Sequence, residues 1–336
     1  MKNYIASTIL CILALIAAFW WAGVPAVITC FLLALMEISF SFDNAVVNAT
    51  VLKHMNTKWQ QRFLTWGMVV AVFGMRLLFP VLVVSFATGL SLFEVTKLAI
   101  EDPREYTQHV LDSHVQIGAF GGMFLLMVFL TFIMDESKKL HWIEMIESKL
   151  SYLGKLEAIE TVISLGVLLA VQHFMPDDEK LHAVVAGITG IALYVVVSGM
   201  AAFISQPDGG ARAKKAVYSG MAGFVYLQFL DASFSLDGVI GAFAISNDIV
   251  IIMLGLGVGA MYVRSLTVHL VRQGTLDKYK FLEHGAHYGI GVLAIIMLIS
   301  MTHPVPEAIT GMVGVVFIGL ALASSAQYNR RHRLPK

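Results

Sequence analysis

Apolar runs of roughly 20 residues follow one another along almost the whole chain, and this succession limits the fold more than any other feature. A backbone inside hydrocarbon must satisfy its own hydrogen bonds, so each run is read as a helix. Ten spans are expected, at roughly 4–22, 24–50, 63–88, 115–134, 158–174, 182–204, 216–243, 249–271, 286–302 and 305–326. Only 14% of the 336 residues are charged, against about a quarter in soluble proteins. The expected fold is therefore all-α: a polytopic membrane helix bundle whose main partner is the lipid bilayer. Cys11 and Cys30 both fall in expected spans, so no disulfide framework or thiolate metal site is indicated. A formal net charge of zero gives no reason to expect a nucleic-acid partner.

The distribution of charge is more informative than its sum. Alternate connections, beginning at the N-terminal side, hold 18 Lys and Arg residues, among them Lys53, Lys58, Lys138, Lys149, Arg272, Lys278 and Arg330. The opposite side holds only Lys97, Arg104 and Lys180. By the positive-inside rule both termini are expected in the cytoplasm of a multi-pass protein of the plasma (inner) membrane. The first span follows Lys2 directly and leads straight into another span, so it is read as a retained helix rather than a signal segment.

Inside this apolar frame one acidic phrase occurs twice. Met36–Asn44 reads MEISFSFDN and Leu230–Gly238 reads LDASFSLDG. Superposed, they match Glu37 with Asp231, Ser41 with Ser235 and Asp43 with Asp237. Gly67 precedes Arg76 by nine positions, and Gly255 precedes Arg264 by nine. With five spans per step the two copies run in opposite directions, the sign of an inverted internal repeat with a substrate site near the midplane. The corresponding units are an N-terminal transmembrane helix (1–23), a first repeat (24–135), a cytoplasmic amphipathic segment with linking helices (136–215), a second repeat (216–326) and a basic tail (327–336).

Ionised groups are costly in a membrane and are functional by default. Glu37, Ser41, Asn44 and Asn48 share one face of a helix, whereas Asp43 points elsewhere if that helix is straight. A break between Ser39 and Asp43 would let both carboxylates face one cavity. The expected ligands are Glu37, Asp43, Asn44, Asp231 and Asp237, supported by Ser41, Asn48, Ser235, Arg76 and Arg264. Such oxygen donors suit Mg²⁺, Ca²⁺ or Mn²⁺ as cargo, with no resident cofactor. If each arginine neutralises one acid, two negative charges remain to match one divalent cation.

Several other features carry weaker readings. The acidic segment 89–114 is expected to be a solvated surface, and 135–157 an amphipathic helix on the cytoplasmic face. Asp248 is read as a helix N-cap. His269, Glu283, His284 and His287 gather at the cytoplasmic ends of two spans as interfacial histidines or, alternatively, a metal or proton relay. Gly118, Gly121, Gly122, Gly187 and Gly190 are read as sites of close helix packing.

These motifs resemble those of the TerC family of integral membrane proteins, within the LysE-type transporter group. Glu37-Ile-Ser-Phe-Ser-Phe-Asp43-Asn44 is similar to the family's E-x-x-x-S-x-D-N box, and Asp231-Ala-Ser-Phe-Ser-Leu-Asp237 to its D-x-x-F-S-x-D box. Ala244, Ile245, Asp248, Gly255 and Arg264 match later elements, while Gly238 departs from the pattern, as do the long segments 89–114 and 135–157 and the phrase Glu283-His-Gly-Ala-His287. The resemblance implies metal-ion transport, with manganese export as the activity, and a link to tellurium resistance. A membrane assembly or metal-delivery partner is the alternative. An intramembrane hydrolase is a further rival, but the Gly-x-Gly-Asp context, a His-Glu-x-x-His site and an identifiable nucleophile are all missing. No enzymatic activity is expected.

Overall fold

The structure is a computed structural model that describes residues 4–70, 74, 78–138, 140–204, 220–303 and 305–331. Among these residues every regular element is a helix. Among the described residues six helices are long and apolar enough to cross a membrane, set against ten expected spans. They are the stretches Ser7–Ser39, His114–Ile133, Asp177–Gly199, Ile249–Arg272, Leu282–Ser300 and Ile309–Arg331.

The first of these contains a reversal. Helix α1 (Ile5–Phe40) leaves helical geometry at Ala22 and Gly23, and Gly23 has φ of 73°. That conformation is open to glycine and strained for other residues. Pro25 follows in the first turn of the second arm, where its missing N–H costs nothing. Both arms pack on the helix Ile249–Arg272. Ser7 Oγ donates to the Met261 carbonyl at 3.1 Å, and Trp21 Nε1 donates to Asp248 at 2.9 Å. The second arm then returns, with Cys30 and Leu33 against Gly255 and Ala34 and Glu37 against Gly259. A Cβ at either glycine would overlap these atoms, so glycine sets how closely the arms approach.

Beyond the break at Ser41 lies α2 (Phe42–Leu52), followed by α3 (Thr57–Val69) and α4 (Phe79–Thr88). The acidic segment forms two short helices, α5 (Leu92–Glu101) and α6 (Pro103–Asp112). Ser91 and Glu94 form a capping box on α5, and Asp102 caps α6. Next come α7 (His114–Ile133), α8 (Glu144–Leu153), α9 (Ile159–Gln172) and α10 (Asp177–Ile204). The last elements are α11 (Gly220–Ile245), α12 (Ile249–Arg272), the short α13 (Thr275–Lys278), α14 (Leu282–Ser300) and α15 (Glu307–Arg331). Asp248 caps α12 by accepting from the N–H groups of Val250 and Ile251.

Contacts define two ends. At one, Lys53 meets Glu283 at 3.6 Å, Tyr4 packs on His269, and Asn329 donates to the Lys278 carbonyl. At the other lie Trp21 with Asp248, and Tyr106 edge-on to Phe243. The first is the Lys- and Arg-rich end. α7 lies in the interior, with Gly118 and Gly122 seated on α14 and the Phe120 carbonyl close to Gly190 of α10. The outer faces of α1, α9 and α15 instead present Leu13, Ile16, Trp20, Leu169, Val315 and Leu320, the surface expected of helices that face hydrocarbon.

The segment expected to be an amphipathic helix holds α8, with Met145 and Ile146 exposed. One of its charges behaves otherwise. Glu147 is fully buried and accepts from the backbone N–H groups of Trp142 and Ile143, from Lys138 Nζ at 3.2 Å and from the Tyr288 hydroxyl. Burial works against ionisation, but the His284 contact, the Lys138 charge and the Ile143 N–H outweigh it and bring this carboxyl down to about 2. Glu147 therefore fastens α8 to α14.

Candidate functional site

The first acidic motif sits where α1 ends and α2 begins. The helix breaks at Ser41 (φ −103°, ψ 21°), inside the interval that the sequence suggests. Ser41 N–H still donates to the Glu37 carbonyl at 3.0 Å, and its hydroxyl donates to the Glu37 carboxylate at 3.2 Å. Two residues on, Asp43 occupies the first turn of α2 and accepts from the Asn44 N–H at 2.9 Å. The partial positive charge of a helix N-terminus favours a carboxylate at this place.

Glu37 and Asp43, each only 6% exposed, both line a cavity of about 50 Å³. Ser41 and Asn44 line it too, together with Phe234 and Gly238 of α11, Leu293 of α14 and Thr310 of α15. Three glycines make room for the acids. Gly238 lies against Glu37 Oε2, Gly259 against the Glu37 stem, and Gly314 against the Asp43 carboxylate. A Cβ at Gly259 or Gly314 would overlap those atoms. The departure at Gly238 from the repeated pattern thus leaves space for the carboxylate of the other copy.

The second motif lies on α11, which runs unbroken through it. Its direction is antiparallel to the first motif: Glu37 meets Gly238, while Asn48 donates to Asp231 at 3.4 Å. Asp231 is not among the residues lining the cavity. It pairs instead with Arg264 Nη2 at 2.9 Å, and Arg264 also donates to the Phe63 carbonyl at 2.9 Å. Gly67 gives this guanidinium its space, so the glycine of one repeat accommodates the arginine of the other. Ser235 and Asp237 fall on α11, but their side chains lie outside the described residues, as does Arg76.

Buried Gln228, one turn before Asp231, lies near Gly67 beside Arg264, and sequence reading passed over it. Gly314 and Thr310 were also missed, since nothing local marks them. Of the histidine group, His284 and His287 face a second, larger cavity with Glu283, whereas His269 packs on Tyr4. Among the described residues no three of His, Cys, Asp and Glu converge as metal ligands do. Among the described residues, the other polar side chains lining the small cavity are the Ser41 and Thr310 hydroxyls and the Asn44 amide.

No curated protein and no solved structure matches the chain. One family model does, over residues 42–332, and its description is a protein of unknown function, DUF475. Nearly all of the chain beyond α1 is covered, including α2, the second motif and Arg264; the protein belongs to the DUF475 family.

Proposed function

We propose that this protein is a membrane carrier for a hard divalent cation, with Mn²⁺ leaving the cytoplasm as its cargo. In this reading the chain crosses the membrane ten times with both termini cytoplasmic. The observation that carries it is the small cavity in which Glu37 and Asp43, from opposite sides of a broken helix, meet Gly238 of an antiparallel helix. Its polar lining is oxygen-rich, with two carboxylates, the Ser41 and Thr310 hydroxyls and the Asn44 amide. Such donors favour Mg²⁺, Ca²⁺ or Mn²⁺ over softer ions. A discontinuous helix at a repeat interface is also where many carriers place their substrate. The choice of Mn²⁺, and of export, follows the resemblance to the TerC family.

Glu37 and Asp43 are assigned as ligands with Ser41 and Asn44, and Asp237 as a further ligand from α11. Asp231, Arg264, Asn48, Ser235 and Arg76 are assigned supporting roles. The test is the manganese tolerance of cells expressing each variant at equal membrane levels. Asp43→Asn, Glu37→Gln and Asp237→Asn are expected to abolish protection while the protein still inserts. Undiminished protection by both the Asp43 and the Glu37 variants would show that these carboxylates do not carry the ion. Uptake into vesicles holding only the purified protein and a Mn²⁺-sensitive dye separates a carrier from an assembly partner.

A further inference from the structure

The larger cavity, of about 440 Å³, lies at the Lys- and Arg-rich end and is bordered by Thr50, His54, Lys138, Lys280, Glu283 and His287. Three helices line both this cavity and the small one. On α2 the lining passes from Thr50 through Val47 to Asp43. On α11 Tyr226 borders the large cavity and Phe234 the small one, with Leu230 between them. On α14 the corresponding series is His287, Ile290 and Leu293. Each step is three or four residues, so each series keeps to one helical face. The three middle residues are all aliphatic, at most 1% exposed, and part of one hydrophobic cluster.

We infer that the large cavity is the cytoplasmic vestibule of the Glu37–Asp43 cavity, and that Val47, Leu230 and Ile290 form an apolar collar closing one from the other. This rests on the carrier reading above. The polar lining of the vestibule admits water and a hydrated ion, whereas a constriction lined only by aliphatic groups expels water and stops both. Because the collar is built from one helix of the first repeat and two of the second, a shift of any one of the three opens it. Alternating access needs such a closure on each side of a binding site.

Thiol accessibility tests the arrangement in full-length protein with Cys11 and Cys30 replaced by alanine. Inside-out membrane vesicles free of Mn²⁺ are treated with a membrane-impermeant thiol reagent. Thr50→Cys, in the vestibule, is expected to react. Thr310→Cys, lining the small cavity, is expected to react from that face about tenfold more slowly or less. Leu230→Ala in the collar should raise the Thr310→Cys rate roughly tenfold, equivalent to about 1.4 kcal/mol in the closed-to-open balance. Should Leu230→Ala fail to fold, Val47→Ala removes less volume and carries the same test. Equal reaction at the two positions with the collar intact, or no reaction at Thr50→Cys, overturns the inference. A gap that collar trimming leaves unchanged overturns it too. Labelling needs no transported ion, so the expected pattern in protein that passes no Mn²⁺ would sink the carrier reading alone. Equal labelling in protein that transports would sink the collar alone.

Discussion

The two acidic motifs each hold a pair of carboxylates at the same six-residue separation, yet the chain builds them differently. In the first, the backbone breaks at Ser41 and turns Glu37 and Asp43 into one cavity. In the second, α11 continues without interruption and Asp231 is spent on Arg264. A carboxylate in a membrane helix can thus line a cavity or be half of an ion pair that joins helices. Residue type and spacing do not separate the two outcomes, whereas the backbone and the nearest arginine do.

The comparison breaks most sharply at Arg264. Arg264→Met leaves the partly buried Asp231 without its cation and is expected to cost about 3 kcal/mol, seen as a lowered thermal midpoint in detergent. Adding Asp231→Leu should recover much of that loss, because a buried pair replaced by apolar groups is often neutral. Asp43→Asn, by contrast, should leave the midpoint nearly unchanged while removing transport. If Asp43→Asn and Arg264→Met destabilise equally, the division into chamber and ion pair is wrong.

Acid probes a further carboxylate, which lies outside the spans. Glu147 is held near about 2 in the folded protein, below its ordinary value of 4.5. Its contribution is present above pH 4.5 and is lost as pH falls through 4.5 toward 2, by up to about 3 kcal/mol. The fluorescence of Trp142, whose ring meets Tyr288 at 5.6 Å, should report α8 leaving the bundle over that window. Glu147→Gln should lack this acid-dependent step.

Smaller effects sharpen the asymmetry of the motifs. Gly238→Asn, which gives the second copy the residue of the first, crowds Glu37 and should cost about 1–3 kcal/mol, read as a lower urea midpoint and weaker transport. Asp248→Asn keeps a side chain able to cap α12 and should cost under about 1 kcal/mol. A loss of several kcal/mol there would mean that the Trp21 contact, rather than the cap, holds the turn of α1.

Much of this was legible in the sequence. The spacing shows that Asp43 shares a cavity with Glu37 only if the helix breaks between Ser39 and Asp43, and a break falls at Ser41. The opposed directions of the motifs follow from their spacing, and the contacts of Glu37 with Gly238 and Asn48 with Asp231 agree with them. What stayed hidden is non-local. Glu147 reads as one charge among several on an amphipathic helix, and nothing near it in sequence marks Tyr288 as its partner. The aliphatic collar is likewise invisible, since Val47, Leu230 and Ile290 resemble the dozens of apolar residues around them. Periodicity shows which residues share a helical face, but not which faces meet.

The packing of α1 bears on how the molecule is made. Ser7 bonds to Ser265 across 258 positions and to Met261 across 254. Synthesis runs from the N-terminus, so the hairpin is finished long before its partner helix leaves the ribosome. Until α12 arrives, Ser7 and Trp21 lack their hydrogen-bond partners and Glu37 lacks the packing of Gly259, and the hairpin must wait among lipid or insertion machinery. The cavity walls contributed by α14 and α15 are made later still. The chamber is therefore completed near the end of assembly, and a nascent chain halted before α12 would hold Glu37 and Asp43 with no chamber to share.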